Sequence, residues 1–255
     1  MISVITITYN AEHVLEKTMQ SVLMQQKCNI EYILVDGNSK DNTIDIIRKF
    51  EKDIAEGKYN CITSSNFRYI SEPDSGLYDA MNKGLQMAIG DFVWFINAGD
   101  KIYSNDTVEK IENQLQANPD ADVIYGQSIM IDENDNVLGE RHKIAPANLK
   151  HRHLLKGLVV CHQSILVKKT IAPLYELKYK ISSDYDWTNK VLKASKYNLY
   201  IDDYISRFMI AGLSSVRRKE SLKERFGIMK KHFGLIPTLF AHFVILIKYP
   251  FTRKY

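Results

Sequence analysis

Asp91-Phe92-Val93-Trp94-Phe95-Ile96-Asn97-Ala98-Gly99-Asp100 is a wholly apolar run closed by a polar turn. A strand apolar on both faces needs cover on both sides, as in a parallel sheet sandwiched between helices. The residues before it fit that reading. Ile2 to Thr8 is rich in β-branched residues and stops at Tyr9-Asn10. Glu31 to Val35 stops at Asp36-Gly37, and Arg68 to Ser71 runs into Glu72-Pro73-Asp74. Between these runs, Leu15, Met19, Val22 and Leu23 recur at helical spacing. Asp41 or Asn42 can cap a second helix carrying Ile44, Ile47 and Phe50, and Met81, Leu85, Ala88 and Ile89 mark a third. Strand–helix–strand alternation joins parallel strands by helical crossovers. The expected fold is α/β, an open and mostly parallel sheet flanked by helices.

The second half reads differently. Asp122 to Tyr125 is a further strand, and Ser128 to Ile144 predicts a hairpin around Glu133-Asn134-Asp135-Asn136. Residues 150–215 predict short strands and a helix near Trp187 to Leu192. The formal net charge of +4 is unevenly spread. Residues 217–255 hold ten Lys and Arg against two Asp and Glu, leaving 24 basic and 28 acidic groups in the first 216 residues. A basic tail therefore sits on a mildly acidic body. Cys28, Cys61 and Cys161 form no CxxC pair, so neither a disulfide framework nor a zinc ribbon is expected, and a reducing cytoplasm suits the chain. The first residues carry no secretory signal pattern. No apolar run reaches the roughly 20 residues of a membrane span.

In open α/β sheets, ligands bind beyond the carboxyl ends of the strands. Those ends read Thr8-Tyr9-Asn10, Asp36-Gly37-Asn38-Ser39, Glu72-Pro73-Asp74-Ser75-Gly76 and Asn97-Ala98-Gly99-Asp100. Acids and glycines gather on one edge, which suits a ligand with hydroxyls or with phosphates bridged by a divalent cation. GxxxxGK[ST], GxGxxG and GxSxG are all absent, which removes the main support for P-loop, dinucleotide and serine-hydrolase chemistry.

These motifs, with Glu72-Pro73-Asp74-Ser75-Gly76-Leu77-Tyr78-Asp79-Ala80-Met81-Asn82-Lys83-Gly84, resemble family 2 glycosyltransferases of the GT-A fold, a bacterial surface-polysaccharide subgroup in particular. The resemblance covers roughly residues 1–215. It implies a GT-A-like sheet with a Rossmann-like nucleotide half at about 1–125 and an acceptor half at about 126–215. It also implies an inverting, metal-assisted transfer from a nucleotide-sugar, UDP-linked by preference, to a glycan or lipid-linked acceptor. Asp36 is then the reader of the donor's nucleobase. Thr8, Asn10, Asp74, Asp79, Lys83 and Asn97 line the donor. Asp100 is the surviving acid of the family's metal motif, a ligand for Mg²⁺ or Mn²⁺. Asp184, in Ser182-Ser183-Asp184-Tyr185-Asp186-Trp187, takes the place of the catalytic base, with Asp186 as the alternative. His162, in Cys161-His162-Gln163-Ser164, falls on the acceptor side. Read without the resemblance, Asp36 is a turn residue, Asp100 and Asp184 are helix caps, and His162 is a structural histidine. A non-catalytic binding protein of the same fold is the alternative function.

Residues 216–255 form the expected second unit. Leu222, Phe226, Met229 and Phe233 alternate with seven Lys and Arg over residues 217–234 as a basic amphipathic helix, followed by an apolar stretch from Thr238 to Ile247. Such a tail suits the inner face of an anionic membrane, or else packing on the body with a solvated basic face. No groove or reading helix points to nucleic acid. A homo-oligomer is compatible with the composition.

Overall fold

The computed structural model describes residues 1–210 and 217–248. The expected boundary at 215/216 and the terminal Arg253, Lys254 and aromatic residues lie outside them. The first half follows its pattern closely. The strands β1 (Ile2–Thr8), β2 (Ile30–Asp36), β3 (Phe67–Ser71) and β4 (Phe92–Phe95) alternate with helices α1 (Leu15–Leu23), α2 (Thr43–Ala55) and α3 (Leu77–Met87). All pairings among these four strands are parallel, with β1 between β2 and β4. Helix α1 buries its expected stripe of Leu15, Met19, Val22 and Leu23; α2 buries Ile47 and Phe50 with Ile54 added and Ile44 only partly covered, and Met81 and Leu85 of α3 are buried while Ile89, beyond its end, is exposed. The sheet thus divides two apolar layers. Trp94 and Tyr32 face the layer under α1 and α2, while Phe95, Ile5 and Val35 face the layer with α3.

The strands β5 (Lys101–Ile102), β6 (Val123–Ile131), β7 (Val137–Glu140), β8 (Ile165–Lys168) and β9 (Asn198–Met209) extend the sheet in the order β3-β2-β1-β4-β8-β6-β9-β5, with β7 on β6 as the expected hairpin. Helix α4 (Thr107–Ala117) packs behind them, and α5 (Ser183–Ala194) starts earlier than its apolar residues indicated. Among the described residues, β5, β7 and β8 run against the otherwise parallel strands. The mostly parallel, helix-flanked sheet is the architecture the sequence led us to expect.

A buried charge pins the first half of the sheet. Glu31, 1% exposed, pairs with Arg68 at 2.5 Å and accepts from Ser3 Oγ and from the backbone N–H groups of Ile89 and Gly90. Burial works to raise its pKa; these partners outweigh it and hold the carboxyl below the ordinary range. One expectation is corrected here. Cys28 and Cys61 are joined by a disulfide, because the turn after α1 and the loop before β3 meet in space, while Cys161 is free and buried. Pairing across 33 residues cannot be read from spacing alone.

The basic tail forms helices α6 (Arg218–Phe233) and α7 (Leu235–Lys248), separated at Gly234. The stripe read from spacing is rotated: Leu222 is exposed, whereas Ile228 and Met229 are buried in the same core layer as Trp187 and Tyr185. No helix among the described residues is long and apolar enough to cross a membrane.

Candidate functional site

The strand order places β1 between β2 and β4, so the chain reverses its direction of travel across the sheet at β1. A crevice opens at such a point beyond the strand ends. Register alignment brings Thr8 beside Asp36, and the Ala98 N–H donates to the Ile7 carbonyl, so the polar turns after β1, β2 and β4 share one edge. The turn after β3 joins them. A Cβ on Gly37 would stand 2.6 Å from Asp74 Oδ2 and 3.2 Å from the Tyr9 ring, so only glycine allows this approach. Tyr9 is 62% exposed at this edge, an aromatic face open to a flat ring. The Thr8 hydroxyl is buried without a partner, and so is Asn97 Oδ1. Both are polar atoms awaiting a ligand or water.

Other expected donor residues hold the loops themselves. Asp36 is fully buried. Its Oδ1 accepts from Ser39 Oγ at 2.5 Å, and its Oδ2 accepts from Ser39 N–H at 3.0 Å and Ser71 Oγ at 2.6 Å. In this conformation the carboxylate of the expected base reader is engaged by Ser39 and Ser71. Asn10, in the left-handed region, uses its Oδ1 to accept the Lys40 N–H. Asp74 accepts the Gly76 N–H, and Asp79 accepts the Ser75 N–H. Lys83 donates to the Pro73 carbonyl and pairs with Glu72 at 2.7 Å. These residues fix the segment's shape first and present charge to the crevice second.

Asp100, the expected metal ligand, is engaged by protein groups in this conformation. It is 5% exposed, its Oδ1 accepts the Met209 N–H, and its Oδ2 accepts the Gln163 amide at 2.8 Å. Gln163 is a partner the sequence did not single out, although it lies in the quoted Cys161 segment. Among the described residues no three His, Cys, Asp or Glu side chains are grouped to hold an ion. Burial pushes the Asp100 carboxyl up to about 7, against the hydrogen bonds from Met209 and Gln163. The folded state thus binds this proton more tightly than the unfolded chain. The stabilisation is full below about pH 4 and is lost as pH rises through 7. Asp100→Asn should therefore gain thermal stability relative to wild type between pH 5 and pH 8, which scanning fluorimetry at both values checks.

His162, expected on the acceptor side, packs inside the protein in this conformation. It is 5% exposed among Phe95, Tyr175 and Trp187, and its Nε2 is 2.8 Å from the Tyr175 hydroxyl. Burial pulls its pKa down to about 4, so it stays neutral near pH 7 and serves as packing.

The two aspartates of α5 have opposite surroundings. Asp184 is half-buried. Its Oδ1 accepts the Tyr185 N–H at 2.8 Å and lies 3.3 Å from the Tyr78 hydroxyl. Its other oxygen has no partner among the described residues and is not sealed off. Burial raises its pKa, partly offset by the Tyr185 N–H and by Arg225. Tyr78, on the first turn of α3, ties the donor-side segment to this carboxylate. Asp186 is 1% exposed and surrounded by basic side chains: the Lys231 ammonium and the His232 Nε2 at 2.8 Å, and the Lys190 ammonium at 3.1 Å. Burial works to raise its pKa, but these partners hold it far below the ordinary range. An acid so paired has no affinity to spare for a substrate proton, so Asp186 is a clamp between α5 and α6. Glu224 of α6 adds a second clamp, accepting the backbone N–H groups of Lys180, Ile181 and Ser182 just before Asp184. Spacing gave no sign of either contact, because the partners lie more than 40 residues apart.

The chain from residue 3 to 172 matches the sequence model of Glycosyl transferase family 2. A PGL/p-HBAD biosynthesis glycosyltransferase of Mycobacterium bovis is 31% identical over 193 residues, 73% of this chain and 68% of that one. The Escherichia coli UDP-Glc:alpha-D-GlcNAc-diphosphoundecaprenol beta-1,3-glucosyltransferase WfgD is 25% identical over 90% of this chain and 85% of its own. Among solved structures, S. aureus TarS 1–349 in complex with UDP-GlcNAc superposes with a TM-score of 0.72 at 17% identity, covering 99% of this chain and 76% of that one. The mannosyltransferase PcManGT from Pyrobaculum calidifontis, solved with GDP-Man and Mn²⁺, gives a TM-score of 0.65 at 16% identity, covering 98% of this chain and 71% of that one. With its GT-A-like sheet and a family match spanning most of its length, the chain belongs to glycosyl transferase family 2.

Proposed function

We propose that this chain transfers a sugar from a UDP-sugar to a hydroxyl of a lipid-linked glycan by a single displacement that inverts the anomeric carbon. The observation that carries the reading is Asp184: one carboxylate with an open oxygen and a raised pKa, joined through Tyr78 to the segment that borders the donor crevice. The acceptor hydroxyl gives its proton to Asp184 as its oxygen bonds to the anomeric carbon. The bond from that carbon to the diphosphate breaks, and its electron pair leaves with the diphosphate. Tyr9 offers a stacking face for the nucleobase, and the unpaired Thr8 and Asn97 oxygens offer polar contacts to the donor. The uridine preference draws on the UDP-sugar donors of WfgD and TarS. A divalent cation enters this proposal only as an ion carried by the donor's own phosphates, so Mn²⁺ titrated into donor-free protein should give no binding heat. UDP at 100 times its Kd should stabilise the fold by about 2.7 kcal/mol. Stabilisation by GDP and not by UDP would reassign the base.

The lipid-linked acceptor and a place on the cytoplasmic face of the membrane draw on α7. Ile236, Leu239, Phe240, Phe243 and Ile247 lie on one face of that helix and are 51% to 81% exposed. Lys219, Lys223 and Lys230 on α6 are exposed nearby in the chain. An apolar ridge beside fixed positive charge fits the headgroup boundary of an anionic bilayer. Phe240→Ser with Phe243→Ser should abolish flotation with phosphatidylglycerol vesicles and leave UDP binding unchanged; undiminished flotation would contradict the docking. Surface substitutions are preferable to removing the tail, because Ile228 and Met229 belong to the core.

A further inference from the structure

Three cations converge around Gly157, and one of them, Arg225, also acts on the Asp184 carboxyl. Arg141 follows β7, Lys143 lies two residues on, and Arg225 comes from α6; all three are half-buried. Their meeting point is Gly157, in the left-handed region after a short 3-10 turn. A Cβ there would stand 2.5 Å from an Arg225 guanidinium nitrogen and 2.6 Å from Lys143 Nζ. Arg141 reaches the Leu158 carbonyl at 3.4 Å, and the Arg225 guanidinium lies 5.8 Å from the Tyr185 ring centre. Among the described residues none of the three has a carboxylate within ion-pair distance, and residues 211–216 and 249–255 contain no Asp or Glu. The contrast with Asp186 is informative: the same helix α6 gives Lys231 a buried acid and gives Arg225 none.

Holding like charges together at partial burial is unfavourable, and the strain appears on Lys143. Burial, and after it Arg225 and Arg141, bring its ammonium down to about 8. An anion seated among the three would relieve both costs. Guanidinium groups offer paired N–H donors matched to phosphate oxygens, and a lysine adds a point charge. We propose that Arg141, Lys143 and Arg225 form a phosphate seat for the acceptor, a sugar joined through phosphate to its carrier. The inference rests on the transferase reading of Asp184. A carrier phosphate and the hydroxyl to be deprotonated then belong to one sugar, and the seat would hold that sugar with its hydroxyl at the open Asp184 oxygen. The donor's diphosphate is the other source of the same chemistry.

Calorimetric titration of inorganic pyrophosphate into full-length protein, with and without saturating UDP, separates the two. The expected result is that UDP-saturated protein still binds pyrophosphate. Lys143→Gln and Arg225→Gln should each weaken that binding about 10- to 100-fold, with UDP affinity unchanged and the melting temperature of Lys143→Gln equal to or above wild type. Lys143→Gln lies on a loop and keeps the test valid if Arg225→Gln disturbs α6. Pyrophosphate binding that neither variant weakens overturns the seat. Binding that UDP abolishes, with both variants weakening UDP itself, overturns its assignment to the acceptor. Failure of UDP to bind the wild-type protein would instead sink the transferase reading on which the seat depends.

Discussion

Asp184→Asn is expected to lower kcat for sugar transfer about 100- to 10,000-fold, the range for removing a general base. KM for the donor and the affinity for UDP should be unchanged, since the carboxylate contacts neither in this account; a loss confined to kcat marks an interaction made in the transition state. Stability should hold or rise slightly. Asparagine can still accept the Tyr185 N–H and the Tyr78 hydroxyl, and burial already disfavours the charged form of Asp184. The pH dependence has a definite sign. A base works when deprotonated, and burial raises the Asp184 pKa, so activity should fall on acidification from a midpoint above the usual carboxylate range. Turnover by Asp184→Asn at the wild-type rate would remove the base assignment.

Asp186→Ala, two residues along the same helix, should fail in the opposite way. It leaves Lys190, Lys231 and His232 around an emptied, buried position. Removing one partner of a buried ionic cluster costs about 3–5 kcal/mol. Lys190 and Lys231 are 27% and 38% exposed, so the lower end is expected. Chemical denaturation should give that loss with α6 loosened from α5, and kcat per folded molecule should fall far less than in Asp184→Asn. The wild-type pair carries its own pH signature. The Asp186 pKa is depressed, so its stabilisation is present above about pH 4 and is lost as pH falls. An Asp186→Ala protein as stable as wild type at pH 7 would contradict the clamp.

The first half of the sheet was legible because its rules are local. Apolar runs such as Phe92 to Ile96 declare buried strands, and stripes such as Leu15, Met19, Val22 and Leu23 declare the covering helices. The sheet's second half was less so, since β8 enters between β4 and β6 against the parallel direction, an order set by long-range packing. In the site, the sequence motifs named loops that share one sheet edge, but not the hydrogen bonds their side chains make. Asp36, Asp100 and His162 each spend their polar atoms inside the protein, on Ser39 and Ser71, on Gln163 and Met209, and on Tyr175. A motif records residue type and spacing, whereas hydrogen-bond assignment depends on partners distant in the chain. Asp184 and Asp186 make the point sharply. They are the same residue type two positions apart, and their different partners, Lys190 of α5 and Lys231 and His232 of α6 on Asp186 alone, separate the proposed base from the clamp. The tail's role was hidden for the same reason, because Glu224 acts on residues 180–182.

The stereochemistry of transfer tests the central claim most directly. The product formed by wild-type protein from an α-linked UDP-sugar and a sugar-diphosphate lipid can be examined by proton NMR at its new anomeric position. A single carboxylate acting as base on the acceptor hydroxyl predicts a β linkage, with one inversion and no covalent sugar on the protein. An α linkage would contradict the account, because a single displacement driven from Asp184 cannot retain configuration.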